Sequence, residues 1–251
     1  MVGSQVLETL GFHMLNGEYI AFLDSDDYIE LNAYEEMYNL AKKENADMVE
    51  CDFIWEYPNK KREDIGVIYK DKKEMIEMAR VVAWNKLIKR EIIEKTKIEF
   101  PQGLRYEDVE FFYKLVPYIN KVSFVKKCFI HYIQRENSIA NTQNIRTKEI
   151  FTVLNNICFY YKEKGFYEEY REQLEYVYVR FLLCSSLKRM CKIEDKAQRK
   201  QLLKETWDNI NSKFPNWRKN GILKKKSLKN LYIKSNNKVT YKIYCFFLRL
   251  I

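Results

Sequence analysis

An unbroken apolar run that ends in a cluster of acids constrains this chain more than any other feature. Glu18-Tyr-Ile-Ala-Phe-Leu-Asp24 continues directly into Ser25-Asp26-Asp27. The continuous run predicts a short strand covered on both faces. The acids cannot stay buried without partners, so they mark where that strand leaves the core. In open α/β sheets, ligands bind beyond the carboxyl ends of strands. Further on, Leu31, Tyr34, Met37, Tyr38 and Ala41 recur at helical spacing across Leu31 to Glu44. Asp47 to Trp55 reads as a second strand. Strand, helix and strand together predict a βαβ unit in a parallel or mixed sheet.

The pattern continues with a strand at 65–69, a short helix at 72–79 and a largely apolar stretch at 81–88. One helical turn at 90–95 and a turn at Phe100 to Gly103 follow. A helix over 106–118 opens on Glu107-Asp108, and 122–133 reads as strand. From Thr147 the character changes. Helices are predicted at about 147–164, 166–192 and 195–212, each with apolar residues at i, i+3 and i+4. The expected architecture is α/β over residues 1–145, then an all-α extension over 146–251. Only 7 Gly and 4 Pro occur, which favours long helices and few tight hairpins.

Charge is distributed unevenly. The net charge is +9, yet residues 209–251 hold 11 basic residues and no acidic one. The remainder is nearly neutral, which excludes a uniformly basic nucleic-acid binder, and no nucleic-acid motif is present. Six Cys without a C-x-x-C pair and only two His argue against a structural zinc site. No apolar run reaches the ~20 residues of a membrane helix, and no signal peptide is expected ahead of the body. The expected location is cytoplasmic, with reduced thiols.

Three groups of residues carry chemistry. Asp24 and Asp26, two apart on an irregular turn, can share one hard cation such as Mg²⁺ or Mn²⁺. They can equally be helix-capping acids, with Asp27 or Asn32 capping the next helix. Glu107-Asp108 can supply a general base, or simply complement the helix dipole. His131, Arg135 and Ser138 lie at or just past a strand end. Arg suits bidentate phosphate contact and His can ligate metal or phosphate; the alternative is one surface Arg and one partly buried His.

Together these stretches resemble family 2 glycosyltransferases. Asn16-Gly-Glu-Tyr-Ile-Ala-Phe-Leu-Asp-Ser-Asp-Asp-Tyr28 is similar to the family's strand and D-x-D segment. Trp84-Asn-Lys-Leu-Ile-Lys-Arg90 resembles its W-N-K-L-[YF]-[KR] segment. Phe100-Pro-Gln-Gly-Leu-Arg-Tyr-Glu-Asp-Val-Glu-Phe111 resembles F-P-x-G-x-x-[YF]-E-D-x-x-F, and His131-Tyr-Ile-Gln-Arg-Glu-Asn-Ser-Ile139 resembles the closing Y-x-x-R-x-x-S-I. The resemblance implies a GT-A fold, a Rossmann-like mixed sheet with flanking helices. It also implies a nucleotide-diphosphate sugar donor and a glycan or lipid-linked acceptor, as in cell-surface polysaccharide synthesis. Asp26 would bind the Mn²⁺ or Mg²⁺, with Asp24 beside it on the metal or the ribose. Asp108 would be the base of an inverting transfer, oriented by Glu107. Arg135, Ser138 and His131 would serve the diphosphate, and Trp84 and Asn85 the sugar or acceptor side. A Q-x-x-R-W motif of processive members is absent, so transfer of single sugars is expected.

The family's opening P-x-Y-N and D-D-G-S-x-D segments have no counterpart, and only 15 residues precede Asn16. The expectation is a C-terminal part of such an enzyme, from a truncated or disrupted reading frame, binding donor weakly or not at all alone. The competing reading is a non-catalytic interaction or membrane-surface module. Residues 224–251 interleave Lys with Tyr, Phe and Leu, which predicts either a helix packed on the body or peripheral contact with anionic membrane.

Overall fold

The computed structural model describes residues 16–135, 143–237 and 239–249. The chain divides into two compact units, Met1–Ile139 and Ala140–Ile251.

The first unit is built on a mixed six-stranded sheet: β1 (Tyr19–Ala21), β2 (Tyr28–Ile29), β3 (Met48–Tyr57), β4 (Lys60–Asp64), β5 (Lys86–Lys89) and β6 (Val122–Ile133). The order is β1-β5-β3-β6-β2, with β4 paired to β3 beyond that path. The parallel β3–β6 pair is the spine, and the other pairings are antiparallel. The β3–β6 register shifts on either side of Asp52, so extra residues of β6 bulge there. The sheet is buried where its residues are apolar: Val49, Cys51, Phe53 and Ile130 are all nearly inaccessible.

Helix α1 (Ala33–Glu44) covers one face of this spine. Ala33, Met37 and Ala41 recur every four residues, so they line one stripe and bury together against Val49, Phe53 and Phe129. Fully burying a side chain of Met37's size stabilises by about 1.5–3 kcal/mol. The helix ends at Asn45 in the left-handed conformation, whose N–H bonds Lys42 O. Helix α2 (Lys72–Met78) is started by Asp71, whose carboxylate accepts the Glu74 N–H at 2.8 Å. Short α3 (Arg90–Thr96) and α4 (Glu107–Leu115) follow, the latter continued by a 3₁₀ turn to Tyr118.

Several expectations change. β1 is three residues long and lies at the end of the strand order; Ile20 is buried but Tyr19 and Ala21 are only partly so, and it is not a strand covered on both faces. Leu23 already sits 44% exposed, because the chain turns out of the sheet before the acids. The expected strand at 65–69 is irregular; its place is taken by β4, which a two-residue Pro58-Asn59 turn folds back onto β3. The single strand was misplaced because β4, Lys-Lys-Arg-Glu-Asp, has no apolar alternation to read. Asn32 precedes α1 but makes no capping bond; its amide donates to Glu36 instead.

The second unit is helical: α5 (Glu149–Glu163), α6 (Tyr167–Leu183), α7 (Ser185–Cys191), α8 (Lys196–Lys213), α9 (Leu228–Ser235) and α10 (Thr240–Leu248). Gly165, at φ +76°, makes the αL corner between α5 and α6. The helix expected over 166–192 is broken at Cys184, whose ψ of −89° leaves helical geometry. Its tyrosines are core, since Tyr170, Tyr176 and Tyr178 are buried. Cys191 and Cys245 form a disulfide, contrary to the expectation that all thiols are reduced. Among the described residues no helix is long and apolar enough to cross a membrane.

Candidate active site

Three phenylalanines assemble the site. Phe22, two residues before Asp24, meets Phe100 edge-on at 5.3 Å and Phe111 at 5.7 Å, while Phe100 and Phe111 stack at 4.1 Å. Each belongs to a different stretch: the strand before the acids, the turn before α4, and the second turn of α4 itself. Their packing draws the D-x-D loop to the N-terminus of α4.

The loop is a tight turn in which the Asp27 N–H donates to Asp24 O at 3.0 Å. Asp24's carboxyl is held above the usual range, first by desolvation at the crowded strand end, then by the charges of Asp26 and Glu107. Asp24, Asp26 and Glu107 therefore share one electrostatic neighbourhood, though Asp24 and Asp26 still face solvent. Asp27 is turned the other way. Its Oδ1 accepts the Ile133 N–H at 2.9 Å, which ties the loop to the end of β6. Desolvation, followed by Asp24 and Asp26, pushes Asp27 up to about 6 against the opposing pull of that hydrogen bond and of Arg135. Arg135 thus lies close enough to act on the acid cluster. Asp27 does not cap α1; it anchors the loop. Ser138 lies outside the described residues.

Helix α4 opens from a strained corner. Tyr106 precedes it at φ +69°, ψ +30°, and Gly103 sits at φ +71°. For a residue with a Cβ this conformation costs about 1 kcal/mol, and such strain persists where surrounding structure imposes it. The corner points the first turn, Glu107 and Asp108, along the positive end of the helix dipole.

The W-N-K stretch lies beneath. Trp84 is buried, edge-on to Phe53 at 4.6 Å and tilted against Tyr132 at 5.2 Å. Asn85 is fully buried; its amide donates to Cys51 O at 2.8 Å and its carbonyl accepts the Lys86 ammonium at 2.8 Å. Lys86 is itself 1% exposed. It donates to Arg80 O and Val82 O and faces Glu50 at 3.4 Å. Burial pulls its pKa down, while Glu50 and Asp108 oppose that fall. Arg80 adds two hydrogen bonds to Glu50 Oε1, at 2.8 and 2.7 Å. Trp84 and Asn85 thus pack beside an internal ionic brace, Lys86 with Glu50 and Arg80, whose ammonium senses Asp108.

His131 is also engaged. Its ring stacks on Tyr28 at 4.2 Å, with Nδ1 2.9 Å from Glu56 and Nε2 2.9 Å from Glu30. Sequence reasoning assigned no role to Phe22, Phe100, Lys86, Glu50, Arg80, Glu30 or Glu56. Lys86 was visible within the W-N-K stretch; Glu50 and Arg80 carried no local signal, since only the fold brings them together.

Among the described residues no three acid, His or Cys side chains converge as a ready metal site. A hard cation that keeps waters and takes substrate phosphate oxygens needs only one or two carboxylates, and the mutually repelling Asp24 and Asp26 meet that requirement.

This geometry belongs to a class of α/β protein whose acid-rich strand end and acid-headed helix converge at the edge of a mixed sheet. Comparison with known proteins gives the class its name. Residues 9–97 match the model of Glycosyl transferase family 2. EpsH of Bacillus subtilis (strain 168), a protein named as a glycosyltransferase, is 31% identical over 188 residues, covering 69% of this chain and 54% of that protein. The crystal structure of S. aureus TarS 1-349 superposes with a TM-score of 0.63 at 15% identity, over 99% of this chain and 70% of that one. TarS 1-349 in complex with UDP-GlcNAc superposes at 0.50 and 16% identity, over 84% of this chain and 70% of that one. The fold is thus GT-A-like, a mixed α/β sheet with C-terminal helices, and by resemblance the chain is of the family 2 glycosyltransferase type. It spans about half the length of the curated relatives it matches.

Proposed function

We propose that this chain acts in an inverting transfer of a single sugar from a nucleotide-diphosphate donor to a hydroxyl acceptor in glycan synthesis. The observation that carries the reading is the packing of Phe22, Phe100 and Phe111, which puts the carboxylates of Asp24 and Asp26 beside the acid-headed helix α4. A uridine-diphosphate sugar is the donor class, by analogy with the TarS complex.

In this reading Asp26 and Asp24 hold Mn²⁺ or Mg²⁺. When bound, that ion neutralises charge building on the departing diphosphate. Arg135 adds a cation on the same side. Asp108 accepts the acceptor's hydroxyl proton as the oxygen attacks the anomeric carbon, and the C–O bond to the diphosphate breaks. Lys86, dry beneath the helix, places a buried ammonium within electrostatic reach of Asp108. Glu107 orients it.

Two measurements test this together: titration of UDP-GlcNAc with Mn²⁺ by calorimetry, and UDP release with a hydroxyl acceptor. Asp108→Asn is expected to lower transfer by about 10²–10⁴-fold while leaving donor affinity within about twofold; Asp26→Asn is expected to remove Mn²⁺-dependent binding. Transfer that survives Asp108→Asn would rule out this base.

Asp24 and Asp26 are exposed to solvent, and this favours a second reading, a non-catalytic module derived from such an enzyme. Mn²⁺-dependent donor binding with no transfer to any hydroxyl acceptor would select it.

A further inference from the structure

The last two helices are apolar on more than one side. In α10, Tyr241, Cys245 and Leu248 recur at i, i+4 and i+7 and pack inward against Leu187, Cys191 and Leu203. Tyr241 also meets Trp207 edge-on at 5.4 Å. That stripe satisfies the ordinary need of an amphipathic helix. Yet Ile243, Phe246 and Phe247 on the same helix remain 50%, 63% and 57% exposed. The adjoining helix repeats the arrangement. In α9, Asn230 and Ile233 are buried while Leu228 and Leu231 are 87% and 63% exposed. The two helices touch through Tyr232 and Tyr244, whose rings lie 5.0 Å apart, and through the Ser235 and Tyr244 hydroxyls at 2.7 Å. The second apolar face is thus left over after packing is complete, on a pair of helices that brace each other.

The charge carried by the segment itself is of one sign, with the Glu172 carboxylate of α6 reaching it at the Gly221 N–H. Lys224, Lys226, Lys229, Lys234 and Lys242 are exposed on or beside these helices, and no acidic residue occurs anywhere in 209–251. Exposed aromatic and aliphatic side chains framed by lysines match an interface of anionic headgroups over acyl chain. A protein partner with a standard interface would ask for a mixed polar rim. RNA would ask for a phosphate-reading motif, and none is present.

We propose that α9 and α10 form a peripheral membrane-binding face for anionic lipid, with Phe246 and Phe247 inserted at the headgroup–acyl boundary and the surrounding lysines on the headgroups. This rests on the second unit alone and is independent of the catalytic reading. The test is cosedimentation of the full chain with phosphatidylcholine vesicles containing about one third phosphatidylglycerol, against pure phosphatidylcholine.

The expected result is retention on the anionic vesicles only, weakened by high salt. Phe246→Ser with Phe247→Ser is expected to lower the partition constant at least about tenfold. Lys224→Gln, Lys226→Gln and Lys229→Gln together are expected to lower it about a hundredfold at low salt. These are exposed positions, so circular dichroism should show unchanged helix content. Equal retention on neutral and anionic vesicles overturns the proposal, as does retention unaffected by either set of substitutions. Failure to bind vesicles, with self-association that the Phe substitutions abolish, also overturns it and assigns the face to a second copy of the chain. Binding to RNA in place of vesicles overturns it likewise.

Discussion

Asp27 shows how one side chain can cost stability to hold a loop in place. An unfolded Asp titrates near 4, whereas here the carboxyl is raised to about 6. Between those values the folded chain holds more protons than the unfolded one, so this group's contribution to stability falls as pH rises through that window. Above it the carboxylate is charged and half-buried. Asp27→Asn keeps an oxygen to accept the Ile133 N–H. It is expected to raise stability at pH 7 by about 1 kcal/mol, discounted for partial exposure, with little effect at pH 4. Urea denaturation at both values checks this; a destabilised variant at pH 7 would mean that the charge, not the hydrogen bond, anchors the loop. The neighbouring acids predict a second effect. Mn²⁺ is expected to raise the thermal midpoint of the wild-type chain by mass action, and Asp24→Asn or Asp26→Asn should remove the rise. A full rise in both variants, read by scanning fluorimetry, would place the cation elsewhere.

Elements carry the site through packing that no local pattern displays. Phe100 and Phe111 are buried beneath the loop that bears Asp24. Phe100→Ala is expected to destabilise the first unit by about 3–5 kcal/mol, whereas Phe100→Leu should cost far less and keep the loop in place. Lys86 is a different kind of support. Removing it leaves Glu50, fully buried, with Arg80 as its one remaining cation and the Tyr69 hydroxyl as a neutral donor at 3.1 Å, so Lys86→Met is expected to cost about 3–5 kcal/mol. Chemical denaturation measures both, and a loss under about 1 kcal/mol for Lys86→Met would mean that Arg80 and the Tyr69 hydroxyl together satisfy Glu50. The sequence made the strands legible where apolar residues dominate: β3 and β6 fall within a residue or two of expectation. Helix α1 begins two residues later than read, since Leu31 is fully exposed despite its spacing. β4 was illegible because its residues are all charged and its order comes from pairing with β3. At the site, the acids were legible as a cluster. What each does was not, because Asp27's partner lies 106 residues away and Lys86's role depends on a glutamate in another strand.

At the scale of the whole molecule the two units are distinguishable by their own probes. Trp55 and Trp84 belong to the first, Trp207 and Trp217 to the second. The Cys191–Cys245 link closes a span of 54 residues within the second. A loop of that length corresponds to about 4 kcal/mol in the chain-entropy account. Reduction, or Cys191→Ser, is therefore expected to lower the midpoint reported by Trp207 and Trp217 and to leave that of Trp55 and Trp84 in place. Single-tryptophan variants followed during melting separate the two; a common shift would show that the units unfold as one. The phenylalanine trio also sets an order in time. Phe22 and its two ring partners are about eighty or more residues apart in the chain. At ribosomal speeds of about 5–20 residues per second, the acid loop leaves the tunnel several seconds before the helix that completes it. During translation the loop is held by nothing, and the site closes only once Phe100, Phe111 and the last residues of β6 have been made.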